Sequence, residues 1–168
     1  MRDLFINHSI AKLRQYQERI GVCLDQLSVE QIWWRGADTQ NAVGNLVLHL
    51  CGNVRQWIIS GIGGAPDIRE RDKEFAARDG GSAAELKAAL AATLNEAVAV
   101  LEGLTDNQLK EHRTIQGYDK TVLEAIYHIV EHFSHHAGQI LFATKLLTGN
   151  DLGFYAHLNR PVHSDKTP

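Results

Sequence analysis

Residues 121–147 read TVLEAIYHIVEHFSHHAGQILFATKLL, and this stretch decides the fold. Thr121 with Glu124 has the form of a capping box, and Gly149 stands just past the last apolar residues; these are the start and stop signals of one long helix. Four histidines, His128, His132, His135 and His136, fall within nine residues of it. His128, His132 and His136 are spaced by four, so each stands one turn above the last, with Cβ atoms about 5–6 Å apart. Each step also turns about 40° around the axis. One ion therefore suits a neighbouring pair, His128 with His132 or His132 with His136, and spacing leaves that choice open.

Working outward, apolar residues from Asp3 to about Leu27 recur at helical spacing, which predicts helix one. Ser28 with Gln31 predicts a short capped turn carrying Ile32, Trp33 and Trp34. Asn41 is in place to cap helix two, AVGNLVLHLCGNVRQWII, which ends near Gly61. Residues 65–81 are charged and rich in Gly, Arg and Asp, so they read as an exposed crossover with a turn of helix around Glu70 to Ala77. Ser82 with Glu85 caps an Ala- and Leu-rich helix three. Thr105 with Gln108 repeats the short turn, and RTIQGYDK reads as a loop or small hairpin around Gly117. LSVEQIWW after helix one is echoed by LTDNQLKE after helix three. The expectation is an all-α four-helix bundle over residues 1–150 with a long connection between helices two and three. Residues 151–168 are expected to form an extended C-terminal tail that partly packs and then frays.

Composition agrees with one domain. The chain has 168 residues, 44% hydrophobic and 22% charged, with 17 basic against 20 acidic side chains for a net charge of −3. No basic cluster marks a nucleic-acid surface. No apolar run approaches the ~18 residues a membrane span needs, and the N-terminal residues lack a secretory pattern. The expected location is the cytoplasm, without nucleic acid or membrane as partner. Cys23 and Cys51 are too few for a disulfide framework.

A metal on the last helix needs a third protein donor from elsewhere. His49 lies in NLVLHLCGN on helix two, among Leu46, Val47, Leu48, Leu50 and Val54. An imidazole facing a bundle interior needs a partner, since an unpaired buried polar group costs about 1–3 kcal/mol. Asn53, one turn on, is expected to line the same cavity. A lone His49 would be an ordinary core histidine; the cluster on the last helix tips the reading to metal. His8, His112, His157 and His163 carry no pattern and are assigned to the surface. His128, Glu131 and His132 also spell H-x-x-E-H, a zinc-peptidase motif, but no acidic partner helix accompanies them. Glu131 is read as an outer hydrogen-bond acceptor or a solvent contact. A di-metal carboxylate site fails because helix two has no Glu.

With His49 in helix two and HisPheSerHisHisAlaGlyGlnIle at 132–140, the chain resembles the DinB-like superfamily, in particular a bacterial subgroup of unknown function. The resemblance runs from about Leu4 to Leu147. It implies that His49, His132 and His136 bind one divalent ion, zinc or nickel, thereby selecting the His132 and His136 pair. It also implies a homodimer, and a thiol-dependent transferase working on a small thiol and an electrophile. Three neutral imidazoles leave coordination positions for substrate, which suits an S-transferase-like enzyme or a hydrolase. Glu131, His128, His135, Asn53 and Gln139 are the candidates for proton handling or ligand orientation. The alternative is a non-catalytic dimeric metal-binding or interaction module of the stress-response type, using the helix-three face of Leu86, Leu90, Leu94, Val98 and Leu101 and the exposed tail.

Overall fold

The structure, a computed structural model, describes residues 1–159. Four long helices carry the fold: α1 (Arg2–Gln26), α3 (Val43–Val54), α5 (Ala83–Glu102) and α6 (Val122–Thr148). Shorter helices α2 (Val29–Ile32) and α4 (Arg71–Ala76) lie in the connections. Both α1 and α3 pack against α5 and α6, so the ring runs α1, α5, α3, α6. This is the expected all-α four-helix bundle.

The buried positions follow helical period because each helix turns one stripe inward. On α6 these are Val122, Ala125, Ile126, Ile129, Phe133, Ala137, Ile140 and Thr144. Phe133 is fully buried and stacks on Tyr16 of α1, with ring centroids 6.3 Å apart. His132 and His136 therefore point elsewhere, toward α3. The helix-three face offered above as a docking surface is core instead: Leu86, Leu90, Leu94 and Leu101 are buried, and Val98 is half-buried. Among the described residues no helix is long and apolar enough to cross a membrane.

The local signals act as read. Ser28, Ser82 and Thr121 each accept a hydrogen bond from the backbone N–H three residues on, and the Gln31, Glu85 and Glu124 side chains each accept one from the cap residue's own N–H. Gly149 ends α6 in the left-handed region at φ +71°, where glycine carries no Cβ penalty. One cap differs. Ala42, not Asn41, is the first non-helical residue of α3, and Asn45 Oδ1 accepts its N–H at 3.1 Å.

Beyond Val54, α3 continues as a π-helical stretch, Arg55–Ile62. Such wide turns are uncommon and are found frequently at functional sites; this one buries Trp57, Ile58, Ile59 and Ile62 together. RTIQGYDK does form a hairpin. Strand β1 (His112–Ile115) pairs antiparallel with β2 (Tyr118–Thr121), with Ile115 opposite Tyr118. Gln116 at φ +52° and Gly117 at φ +80° make the two-residue turn, as matching strand twist requires. The hairpin leads straight into α6, with Val122 N–H donating to Glu111 O at 2.9 Å.

The crossover departs from expectation. Its short helix appears where read, at Arg71–Ala76. It is not uniformly exposed, however: the Arg69 side chain is only 2% exposed and that of Glu74 10%. The segment folds back on α3 and lays this ion pair beneath His49. At the other end of the chain, residues 151–159 hold Phe154 and Tyr155 against Arg19 of α1 and include a 3-10 turn, Ala156–Asn159. The remainder of the expected tail, with His163, lies outside the described residues.

Candidate metal centre

His49 comes from α3, while His132 and His136 stand one turn apart on α6. Helix packing brings all three together. His132 Nε2 lies 3.1 Å from His49 Nε2 and 3.2 Å from His136 Nε2, and one nitrogen from each ring falls within 4.8 Å of the others. Donors about 2.0–2.1 Å from a tetrahedral zinc stand about 3.3–3.4 Å from one another, close to the two short separations. Among the described residues this is the one group of three such side chains able to hold an ion.

Counting ring protons tests the fit. Glu74 Oε2 lies 3.0 Å from His49 Nδ1. Arg69 Nη2 lies 3.1 Å from the same nitrogen, but it also donates to Glu74 Oε2 at 2.8 Å, while Arg69 Nε donates to Oε1 at 2.7 Å. Both groups claim Nδ1; the carboxylate decides, because an unprotonated nitrogen would face it lone pair to lone pair. His49 thus carries its proton on Nδ1 and leaves Nε2 bare. His136 Nδ1 lies 2.7 Å from Gln139 Oε1, an acceptor that fixes the same tautomer. His132 Nδ1 is buried without a partner. One proton on His132 Nε2 cannot serve both neighbours well, and a proton on Nδ1 leaves three lone pairs converging. A cation satisfies all three nitrogens, so the donor set fits a divalent ion.

Electrostatics keep the imidazoles available. His132 is pushed down to about 3, by burial first and then by His136, His49, His128 and Arg69. Burial also lowers His136, against the opposing Gln139 hydrogen bond. His128 falls as well, through burial, with Glu131 opposing and Lys120 adding a little. Burial pushes the Glu74 carboxyl up, yet the hydrogen bonds and charges of Arg69 and His49 outweigh it and hold Glu74 below the usual carboxylate range. At neutral pH His128, His132 and His136 are neutral and Glu74 is an anion.

The other sequence candidates divide around this centre. His128 lines the adjoining cavity, packed against Trp57 with the rings tilted by 43° and 4.3 Å between centroids, and does not join the three. Asn53 and Glu131 line the same cavity. Asn53 is buried with Oδ1 unpartnered, and Glu131 is exposed. Gln139 holds His136, whereas His135 is exposed and touches Gln139 at 3.4 Å. His8, His112 and His157 are exposed.

Sequence reasoning missed Glu74 and Arg69. Charged residues in a charged connection carry no signal of burial; the nearest trace is Gly52, where a Cβ would collide with the Glu74 carboxylate. The cavity that Asn53 was expected to line is present; its size, about 950 Å³, and its walls of Trp57, Phe75, Tyr118, Leu123 and Tyr127 were unforeseen.

A search of curated proteins finds no match. Among solved structures the chain resembles a conserved protein from Enterococcus faecalis, with TM-score 0.70, 18% identity and coverage of 86% of this chain and 97% of that one. It also resembles a DinB-like protein from Bacillus subtilis, YjoA, with TM-score 0.66, 18% identity, 88% of this chain and 97% of that one. For a DinB-like protein from Bacillus cereus the values are 0.65, 20%, 82% and 88%. At these identities the likeness concerns the fold. The family described as "Protein of unknown function (DUF1572)" matches residues 1–157, so the chain, with its DinB-like bundle and three-histidine cluster, belongs to that family.

Proposed function

We propose that this protein binds one divalent metal ion through His49, His132 and His136 and is a metal-dependent enzyme, a thiol-dependent transferase before a hydrolase. The observation that carries the metal reading is the convergence of three Nε2 atoms, two of them bare because Glu74 and Gln139 hold the protons on the far side of their rings. Held by His49, His132 and His136, a divalent ion, zinc or nickel, would lower the pKa of a small thiol or water and would polarise an electrophile beside it.

The chain's own residues supply the rest. Glu74, held by Arg69, orients His49, and Gln139 orients His136. Trp57, Phe75 and Tyr127 give the cavity apolar walls. His128 and Glu131 face the same space and offer acceptors for a substrate proton. The thiol comes from outside, because burial pushes Cys51 up to about 11 and also raises Cys23, leaving neither a ready nucleophile.

Elemental analysis of untagged protein, purified without chelator or nickel resin, tests the centre. About one ion per chain is expected, lost in His132→Ala. Turnover of a small thiol with a chloronitrobenzene electrophile, in proportion to bound metal, then tests the transferase. Metal-loaded protein without turnover, with any thiol tried, favours the non-catalytic module. For that reading, and for a homodimer, the support is the apolar surface on α6: Phe142 is 71% and Leu146 66% exposed, one turn apart. Light scattering that finds a monomer at micromolar concentration overturns the dimer.

A further inference from the structure

We propose that the cavity beside the three histidines binds a small organic anion with an apolar body, an aromatic carboxylic acid being the nearest class, with Arg71 and Lys120 meeting its acidic group. The inference rests on the metal reading above.

Size comes first. The cavity measures about 950 Å³, far more than an ion and its waters fill and near the top of the about 300–1,000 Å³ typical of small-molecule sites. Its walls are aromatic and aliphatic: Trp57 and Phe75 inside, with Tyr118, Leu123 and Tyr127 60%, 40% and 61% exposed. Large apolar groups left in water around a concave site are the lining an apolar ligand covers.

Charge then selects the sign of the ligand. Arg69 is spent on Glu74 and Gln56. Glu124 is spent on the Thr121 cap. Among the described residues neither Arg71 nor Lys120 has a carboxylate within ion-pair distance. The Arg71 guanidinium lies over the Phe75 ring, 4.8 Å from its centroid, an arrangement that steadies a cation beside an apolar wall. Three cations (Arg69, Arg71 and Lys120) face three carboxylates (Glu74, Glu124 and Glu131) in and immediately behind the lining. The protein charges therefore balance. A divalent ion on three neutral imidazoles adds two positive charges that no side chain cancels, and an anionic ligand does so. Arg71 and Lys120 are the two cations left to bind its acidic group.

The test pairs 3-phenylpropanoate with 3-phenylpropan-1-ol, matched in apolar body and different in charge. Each is titrated into zinc-loaded protein by tryptophan fluorescence and calorimetry, with metal content measured on the same sample. The acid should bind at least about tenfold more tightly than the alcohol. The double variant Arg71→Gln, Lys120→Gln should lose about that factor for the acid while keeping its ion, because neither residue hydrogen-bonds to His49, His132 or His136. Equal binding of the two probes, no binding of the acid to protein that holds its ion, or acid binding that survives the double variant each overturns the proposal. A parent that takes up no ion overturns the metal reading and the charge argument with it, and the elemental analysis distinguishes that failure from the others.

Discussion

The Glu74 carboxylate stands 3.0 Å from His49 Nδ1 although the residues are 25 positions apart and belong to different helices. The pair does two things. It fixes the tautomer that turns His49 Nε2 toward His132, and it ties the crossover between α3 and α5 to the histidine cluster. Arg69 completes the unit with two hydrogen bonds to the same carboxylate.

Glu74→Gln should therefore weaken metal affinity about 10–100-fold, the usual cost of losing a partner behind a histidine ligand, as read by competition with a chromophoric chelator. Glu74→Ala should cost more in stability. It leaves the Arg69 charge, 2% exposed, without its carboxylate, a loss of about 3–5 kcal/mol for a broken buried pair. Denaturant unfolding measures it, and unchanged affinity in the Gln variant contradicts the assignment.

Gly52→Ala should behave like a Glu74 variant. On helix propensity alone alanine gains about 1 kcal/mol. Here its Cβ would collide with the Glu74 carboxylate and approach Arg69 Nε to 3.1 Å. The expected outcome is a less stable protein with reduced metal affinity, though no histidine is altered. A raised Tm with unchanged affinity would show that the carboxylate can move aside freely.

Chelation should lower the Tm of the parent. Free metal at a thousandfold its Kd stabilises the native state by about 4 kcal/mol, and each kcal/mol is worth about 2–4 °C in a chain of this size. His49→Ala, His132→Ala and His136→Ala should each abolish the chelator response. His128→Ala should retain it, because His128 packs against Trp57 outside the cluster.

The metal-free protein should lose stability in mild acid. His132 titrates ordinarily near 6.5 and is pushed down to about 3 in the fold. Below about pH 6.5 the unfolded chain takes a proton that the folded chain refuses, so stability is whole above that pH and drains away as pH falls toward 3. His128 and His136 shift the same way and add to the loss. Melts at pH 7.5 and pH 5 should show the lower Tm at pH 5, with a smaller gap in His132→Ala. A flat profile would mean that the rings accept protons freely in the fold.

Much of the bundle was legible because its signals are local. The boxes at Ser28, Ser82 and Thr121, the stop at Gly149 and the apolar period of each helix lie within a turn or two of the structure they produce. A box opened on Ser, Thr and Glu needs no tertiary partner, and the 116–117 turn needs only two residues at positive φ. The start of α3 was harder. Asn41 and Asn45 both have capping chemistry, and the hydrogen bonds of Asn45 to Arg35, Ala42 and the crossover carbonyls chose between them.

By itself, then, the sequence determined the helices, their order, and the presence of one histidine on α3 and several on α6. Tertiary structure decided which histidines meet. The helical repeat permits either neighbouring pair on α6, and only the rotation of that helix, set by burying Ile129, Phe133 and Ile140, turns His132 and His136 rather than His128 onto His49. Resemblance to a known family had implied that pair, but spacing had not. Tertiary structure likewise decided the burial of Glu74 and Arg69, whose composition looks solvated until the crossover folds over Gly52. Periodicity reports on one helix at a time, whereas a site built between helices depends on how two helix faces and a distant loop are set against one another.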